Sequence, residues 1–559
     1  MKVVIVGGVA GGASAAARLR RLDEKAEIIM LERSGYVSYA NCGLPYYIGG
    51  EIKEAEKLTV QTPESLQSRF AIDVRIRQEA VRIDRKAKTV QVRRLEDGTL
   101  YTQAYDKLIL APGARPIVPP LPGVEGPLLF TLRTVEDTLR IRRFVDEKAP
   151  RTATVIGGGF IGLEMAENLR NRGLDVTVVQ LTDQVLPTLD GDMAALVHEQ
   201  LRRHGVTLRL NTAATGFERR EGRIATFIQD DTPIVSDFVI LAAGVAPESA
   251  LAKEAGLALG LRGAIRTDAH MRTSDPDIYA VGDAVEVSHL VTGQPALIAL
   301  AGPANKQGRI AADNICGIAS EYRGSQGSNV LKVFTMTVGG TGLTARQAQE
   351  AGIACDYALL SPPSHATYYP GAANMTLKVV FEKPSGRILG AQAVGGEGVD
   401  KRVDVLSAAI RAGMTGMDLA ELELAYAPPY SSAKDPVNMA GFIIENLLTG
   451  KVRQVHWRQA LCPPEGTVLL DTRTDGEYRS GHIPGALHLP LDELRQRLSE
   501  LPQGKTFYVY CQSGLRSYLA CRILMQNGIA CYNVAGGYGF YSHGAFAAQS
   551  AVGGCGLCR

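Results

Sequence analysis

Neither sign of charge is in excess in this 559-residue chain: 60 Lys and Arg stand against 58 Asp and Glu, a formal charge of +2. That balance excludes a global attraction to nucleic acid or to an anionic membrane, so any basic site has to be local. Long hydrophobic runs are also missing. Each apolar stretch is broken by Gly, Pro or charge well short of the roughly 18 residues of a membrane span. There is no low-complexity segment, and 45% hydrophobic with 21% charged residues excludes long disorder, collagen-like repeats and a coiled coil. Cysteine is sparse and odd in number, nine residues scattered along the chain, which argues against a secreted disulfide framework and for a reducing compartment. Met1-Lys2, an apolar run and Ala13-Ser14-Ala15 mimic a signal peptide, but cleavage there would destroy the first structural unit; a cytoplasmic location is expected. At about 150 residues per domain, the length predicts three to four domains.

What is abundant is glycine, 60 residues or about 11%, and much of it clusters in loops after apolar runs. Residues 2–6 (KVVIV) form a buried-strand pattern; Gly7-Gly8-Val9-Ala10-Gly11-Gly12 then opens an Ala-rich helix, and 27–32 (EIIMLE) gives a second strand ending in Glu32, followed by Arg33. This is a dinucleotide-binding layout: pyrophosphate on the helix N-terminus, ribose hydroxyls on the acid. One departure is Val9, which stands where the second fingerprint glycine belongs. The layout recurs at 153–180, where ATVIG leads into Gly157-Gly158-Gly159-Phe160-Ile161-Gly162 with all three glycines, then a helix and VTVVQ. Two such units mean two dinucleotides. The second ends in Gln180 without an Arg cluster for a 2′-phosphate, so NADH is favoured over NADPH.

Three more segments complete a pattern: Tyr105 to Gly113 with Ala111 and Gly113 at its turn, Phe238 to Gly244, and Ile278 to Asp283 with Gly282 and Asp283 at a strand-to-helix turn. In this order the five segments resemble the two-dinucleotide pyridine nucleotide–disulfide oxidoreductases over residues 1–445. The resemblance implies FAD in the first unit, with Asp283 on its ribityl chain, and a nicotinamide nucleotide in the second. Residues 326–445 change character: strand runs (VLKVFTMTVGGTGLT, MTLKVVFEK, ILGAQAVGG) precede two helical stretches, matching that family's dimerisation domain.

Cys42 lies in Ser38-Tyr39-Ala40-Asn41-Cys42-Gly43-Leu44-Pro45-Tyr46, where the chain passes back across the first cofactor. It has no partner at Cys-x-x-Cys or Cys-x4-Cys spacing, so it cannot cycle an internal disulfide; a mixed disulfide, sulfenic or persulfidic state is required. The segment is similar to the active-site stretch of coenzyme A disulfide reductases. Ala366-Thr367-Tyr368-Tyr369-Pro370-Gly371 and Ala425-Tyr426-Ala427-Pro428-Pro429-Tyr430-Ser431 match that family's tyrosine motifs. The resemblance implies that Tyr368 and Tyr426 reach the redox cysteine from the partner subunit of a homodimer, and that Ser38, Asn41 and Lys434 contact CoA. Ser14, Arg18 and Arg21 fall at i, i+4 and i+7 on one helical face, a set suited to the CoA phosphates.

Near the C-terminus, Val468-Leu469-Leu470-Asp471-Thr472-Arg473, Glu477-Tyr478, Gly481-His482-Ile483-Pro484-Gly485-Ala486 and Val509-Tyr510-Cys511-Gln512-Ser513-Gly514-Leu515-Arg516-Ser517 together resemble a rhodanese domain. Cys511 follows a buried strand, and the loop to Arg516 at a helix start aims backbone N–H groups at the thiol, favouring a thiolate and an anionic persulfide. The six-residue loop matches sulfur-transferring members rather than the related phosphatases. Cys521 and Cys531 read as core. The tail Cys555-Gly556-Leu557-Cys558-Arg559 lacks the further ligands a structural zinc needs, so no metal is expected.

The expected fold class is therefore α/β: two Rossmann-like dinucleotide-binding domains, an α+β dimerisation domain and a C-terminal rhodanese α/β domain. The boundaries expected are 1–112 with 245–325 for FAD, 113–244 for NAD(P)H, 326–445 for dimerisation, a linker at 446–465 carrying the only tryptophan, Trp457, a rhodanese domain at 466–552 and a Cys-x-x-Cys tail at 553–559. The expected activity is NADH-dependent reduction of CoA persulfide or polysulfide to hydrogen sulfide through FAD and Cys42, with Cys511 taking sulfane sulfur from a donor or from CoA. The alternatives are CoA disulfide reduction, an NADH oxidase or peroxidase with a Cys42 sulfenic acid, and a redox-sensing sulfur carrier. The expected partners are small molecules, a second copy of the chain, and neither nucleic acid nor a membrane.

Overall fold

The computed structural model describes residues 1–229 and 232–542; the tail with Cys555 and Cys558 lies outside the described residues. Two units emerge, Met1–Asp183 with Gly205–Gly327, and Gln184–His204 with the chain from Ser328 onward.

In the first unit, Val- and Ile-rich runs too apolar to face water on either side form the centres of two parallel sheets. One sheet has the order Ile278–Ala280, Lys107–Leu110, Lys2–Val6, Glu27–Leu31, Asp73–Arg75. The other runs Thr207–Arg209, Asp175–Val179, Thr152–Ile156, Phe238–Leu241, Leu129–Thr131. Val3, Val4 and Ile5 are wholly buried. Each sheet carries a three-stranded antiparallel companion, and Ala114–Pro116 pairs with Val245–Pro247 where the chain crosses between the sheets. The helix Ala10–Leu22 packs on Ala301–Ile315 through small residues: a Cβ at Gly308 would stand 2.2 Å from the Gly11 carbonyl oxygen.

The second unit begins with an antiparallel sheet in the order Asn329–Val333, Met336–Gly342, Ile388–Gly395, Thr376–Glu382, Cys355–Leu360. Three helices follow rather than two: Val399–Ala412, Gly416–Glu421 and Pro436–Leu448. The short Gly416–Glu421 turn escapes a periodicity search because six residues carry less than two helical periods. The helix Gly191–Arg203, within the range expected for the nucleotide domain, joins this unit instead. Its start is tied there by charge, since Lys378, with 2% of its side chain exposed, is held by Asp190 at 3.0 Å and Asp192 at 2.8 Å and stacks on Tyr357, and Met193, Leu196, Val197 and Leu201 are buried along its length.

The C-terminal sheet is parallel, ordered Gln454–Val455, Cys531–Val534, Thr506–Tyr510, Thr467–Asp471, Leu487–His488. The stretch 446–465, expected as a linker, thus supplies an edge strand. Trp457 is 2% exposed, donates its indole N–H to the Gly537 carbonyl at 3.0 Å and packs on Tyr510 and Tyr541. Pro463 and Pro464 draw the eye to a linker, but burial of the neighbouring aromatic decides the packing. Trp457→Ala should destabilise the second unit by about 3–5 kcal/mol. Thermal unfolding followed by circular dichroism checks this, and a shift too small to resolve would show that the edge strand is merely tethered.

Candidate functional site

The first glycine loop is shaped by backbone contact. A Cβ at Gly7, whose φ is +98°, would fall 2.1 Å from the Ala111 carbonyl oxygen, and one at Gly12 would fall 1.9 Å from that of Gly7. Glu32 closes the loop, accepting the Gly8 N–H at 2.8 Å and the Ser34 N–H at 2.9 Å; burial raises its carboxyl above the ordinary value despite those bonds. In the second loop Gln180 does the same work without charge, its carbonyl accepting the Gly158 N–H at 2.7 Å. Gly162 repeats the contact of Gly12, 1.9 Å from the Gly157 carbonyl, whereas a Cβ at Gly159 would meet nothing within 4 Å. The space Gly159 leaves is thus open rather than filled by protein, which is what a pyrophosphate lying on the helix Phe160–Asn171 needs. Both cradles fit a dinucleotide.

Ala111, Gly113, Gly282 and Asp283 gather where the neighbouring strands Lys107–Leu110 and Ile278–Ala280 end. Asp283 pairs with Arg133 at 3.1 Å, a residue absent from the sequence motifs. Arg33 lies mostly in solvent, 3.7 Å from Glu248.

Cys42 sits in the turn Asn41–Gly43, exposed, at the start of the helix Leu44–Gly49. That helix packs on Phe160–Asn171 so closely that a Cβ at Gly49 would lie 2.0 Å from Asn168 Oδ1. The packing sets Tyr46 against Glu164, hydroxyl to Oε1 at 3.4 Å. Burial pushes the Glu164 carboxyl up to about 7, which the Tyr46 hydrogen bond only partly offsets and Glu167 reinforces. Desolvation, then the Glu164 and Asp283 carboxylates, push the Cys42 thiol up, while Arg133 pulls it down. Asn41 Oδ1 is buried with no hydrogen-bond donor among the described residues, an acceptor left for a ligand.

Ser14, Arg18, Arg21 and Ser38 line one cavity of about 360 Å³. Gln61, Phe70, Asn305 and Arg309 also line it, and no local motif could reveal them because they come from outside the helix Ala10–Leu22. Ser14 donates to Asn305 at 2.6 Å, and Arg18 pairs with Asp313 at 2.7 Å, so Arg21 and Arg309 are the cations this cavity offers most openly to an anion. Arg20, by contrast, is buried and spends its donors on five backbone carbonyls.

In the second unit the Tyr368 and Tyr426 hydroxyls lie 2.7 Å apart, 75% and 46% exposed. A fully buried guanidinium ties their loops together. Arg402 donates to the Ser364 carbonyl at 3.0 Å, to Ser431 at 3.1 Å and to Asp435 at 2.9 Å, and Ala366 N–H reaches the Ser431 carbonyl. Asp435 also caps the helix Pro436–Leu448, leaving the adjacent Lys434 exposed. The sequence shows Arg402 only as one more charge on a helix.

Cys511 is buried at the end of its strand, its sulfur accepting the Gly514 N–H at 3.1 Å and the Ser517 hydroxyl at 3.4 Å. Arg516 is gripped by Glu477 through two bonds of 2.7 Å, which hold the Glu477 carboxyl down at about 2. Arg473 is likewise buried on Asp471 at 2.7 Å. Cys521 and Cys531 are core residues. No cluster of metal-ligating side chains occurs among the described residues, and no described helix is long and apolar enough to cross a membrane.

The family model for pyridine nucleotide-disulphide oxidoreductases matches residues 1–308, that for the dimerisation domain of the same family residues 329–436, and that for rhodanese-like domains residues 456–542. Among solved structures, the chain is similar to reduced Bacillus anthracis CoADR-RHD, with 50% identity, a TM-score of 0.95 and coverage of 97% of this chain and 98% of that one. It is similar to an NAD-dependent persulfide reductase from A. fulgidus at 40% identity and a TM-score of 0.91, covering 97% of this chain and 100% of that one. It is also 35% identical to the coenzyme A disulfide reductase of Staphylococcus haemolyticus, over 80% of this chain and 100% of the relative.

Glu164 predicts a pH effect. Above about pH 7 its carboxylate opposes the Cys42 thiolate; Glu164→Gln removes that charge, so the thiol should deprotonate at lower pH. Iodoacetamide labelling of the Cys42 peptide near pH 8, read by mass spectrometry, should speed up several-fold, since one pKa unit is about tenfold in thiolate. Superimposable labelling profiles would remove Glu164 from the account.

Proposed function

This chain belongs to the pyridine nucleotide–disulphide oxidoreductase family, and we propose that within it the protein uses NADH to reduce CoA persulfide or polysulfide to hydrogen sulfide. The observation that carries this reading is the presence in one chain of two differently built thiols. Cys42 is exposed and has no cysteine at Cys-x-x-Cys or Cys-x4-Cys spacing, and Cys511 lies in an N–H cradle that suits a persulfide. When bound, FAD supplies the relay of two electrons from NADH to the Cys42 sulfur.

The Cys42 thiolate attacks the inner sulfur of CoA–S–SH, forming Cys42–S–S–CoA and expelling HS⁻. Two electrons and a proton then return Cys42 to the thiolate and release CoA–SH. Arg21, Arg309, Arg18 and Ser14 hold the CoA phosphates, with Ser38 and Asn41 nearer the thiol; Lys434 is a further CoA contact on the resemblance alone. Tyr368 and Tyr426 share a proton across their hydrogen bond and supply it to the leaving sulfur from the partner subunit of a homodimer. Cys511, assisted by Arg516, accepts sulfane sulfur from a donor and passes it to CoA. The protein would work in the cytoplasm, where an exposed redox thiol such as Cys42 stays reduced. We keep the expected ranges as the functional division, grouping 184–204 with the dimerisation residues and 454–460 with the rhodanese sheet.

CoA disulfide reduction is the second reading. It uses the same cavity and thiol and is favoured by the likeness to the S. haemolyticus enzyme. Anaerobic NADH oxidation separates the two. With CoA persulfide the wild type should release sulfide; Cys42→Ser should lower the rate by at least a hundredfold, and Cys511→Ser should spare turnover of preformed CoA persulfide. If CoA disulfide alone is turned over, the persulfide reading fails.

A further inference from the structure

Sulfur delivery to Cys511 requires a donor, and the charges around its loop restrict which kind. Two guanidinium groups are hydrogen-bonded at this loop among the described residues. Arg473 reaches Gln512 at 3.5 Å and stacks 3.9 Å over the Tyr538 ring, but its charge is met by Asp471 through three bonds of 2.7–3.1 Å. Arg516 opens the helix that follows the loop, and its charge is met by Glu477 through two bonds of 2.7 Å. The donors that converge on the thiol are uncharged: the Gly514 N–H and the Ser517 hydroxyl, whose one proton is shared with the Gly514 carbonyl. These stabilise one negative charge on sulfur. A second negative charge, arriving on the donor, would meet at this loop guanidinium groups already matched by acids among the described residues, and would approach the Glu477 carboxylate.

We propose that the Arg516–Glu477 and Arg473–Asp471 pairs make the Cys511 loop a charge-compensated site that takes sulfane sulfur from an organic persulfide and discriminates against dianionic thiosulfate. The proposal rests on the reading of Cys511 as a sulfur carrier. In the transfer, the Cys511 thiolate attacks the outer sulfur of R–S–SH. The new bond gives Cys511–S–S⁻, the old S–S bond breaks toward the inner sulfur, and the proton leaves with it as R–SH. The cysteine sulfur rises to the persulfide level as the donor's inner sulfur falls to the thiol level, so no outside oxidant or reductant is needed. Thiosulfate would have to release sulfite dianion from the same position.

Glu477 is placed so that its charge can be removed with little loss of shape. Its Oε2 also accepts from the Thr474 N–H and hydroxyl at the start of the helix Asp475–Arg479, and a glutamine carbonyl can keep those bonds. Glu477→Gln therefore frees the Arg516 charge, and the predicted effect is a gain, which misfolding cannot imitate. The full-length protein would be assayed for thiocyanate formation with cyanide as acceptor, using 2-hydroxyethyl persulfide and thiosulfate as donors. In the wild type, kcat/KM for thiosulfate should be at least tenfold below that for the persulfide. In Glu477→Gln the thiosulfate-to-persulfide ratio should rise at least tenfold, and Glu477→Gln with Arg516→Gln should lose that rise. A wild type that uses both donors equally, or a ratio that Glu477→Gln leaves unmoved, overturns the charge proposal alone. A wild type that takes sulfur from neither donor and shows no Cys511 persulfide by mass spectrometry overturns the carrier reading, and this proposal with it.

Discussion

Backbone touching backbone is the constraint on which the rest of the first unit depends. At Gly12 and Gly162 a single added carbon would lie 1.9 Å from the carbonyl of the glycine that opens each loop, and at Gly308 it would lie 2.2 Å from Gly11. Those approaches bring helix N-termini up to the ends of parallel strands, and the partial positive charge of the helix then faces the place where pyrophosphate belongs. Glu32 and Gln180 close the two loops with the same bond, one charged and one neutral. The chain leaving Glu32 is therefore anchored where it must be to carry Cys42 back across the first cradle.

Cys42 and Cys511 sit in opposite kinds of surroundings. Cys42 stands exposed among carboxylates that resist its ionisation, with Arg133 as the counterweight and Glu164 poised to change charge near neutrality. Cys511 is buried, and its anion is served by an N–H and a hydroxyl while the neighbouring arginines are matched by acids. The contrast matches the proposed division of labour, with electron exchange at Cys42 and sulfur storage at Cys511.

Buried ion pairs do the positioning in the second unit. Arg402 with Asp435 joins two loops that have little regular structure of their own, so that Tyr368 and Tyr426 meet although 58 residues separate them in sequence. Lys378 with Asp190 and Asp192 does the same for a helix that the chain order would assign elsewhere. A buried charge deprived of its partner is costly, so such pairs specify one arrangement firmly.

The sequence by itself determined the features that depend on neighbours along the chain. The two glycine loops, the acid or amide ending each βαβ unit, the Ser14–Arg18–Arg21 face, the lone Cys42 and the Cys511-to-Arg516 loop all follow from spacing, because strand, turn and helix geometry is local. The same locality made 446–465 look like a linker and hid the strand Cys355–Leu360 and the helix Gly416–Glu421. Tertiary structure alone decided what depends on distant residues. It brought Asn305 and Arg309 to the basic cavity, Glu164 to Tyr46, Arg402 to both tyrosine loops and Glu477 to Arg516. The physical reason is that a charge's effect is set by its distance in space and by the water left around it, and neither quantity is written in the order of residues.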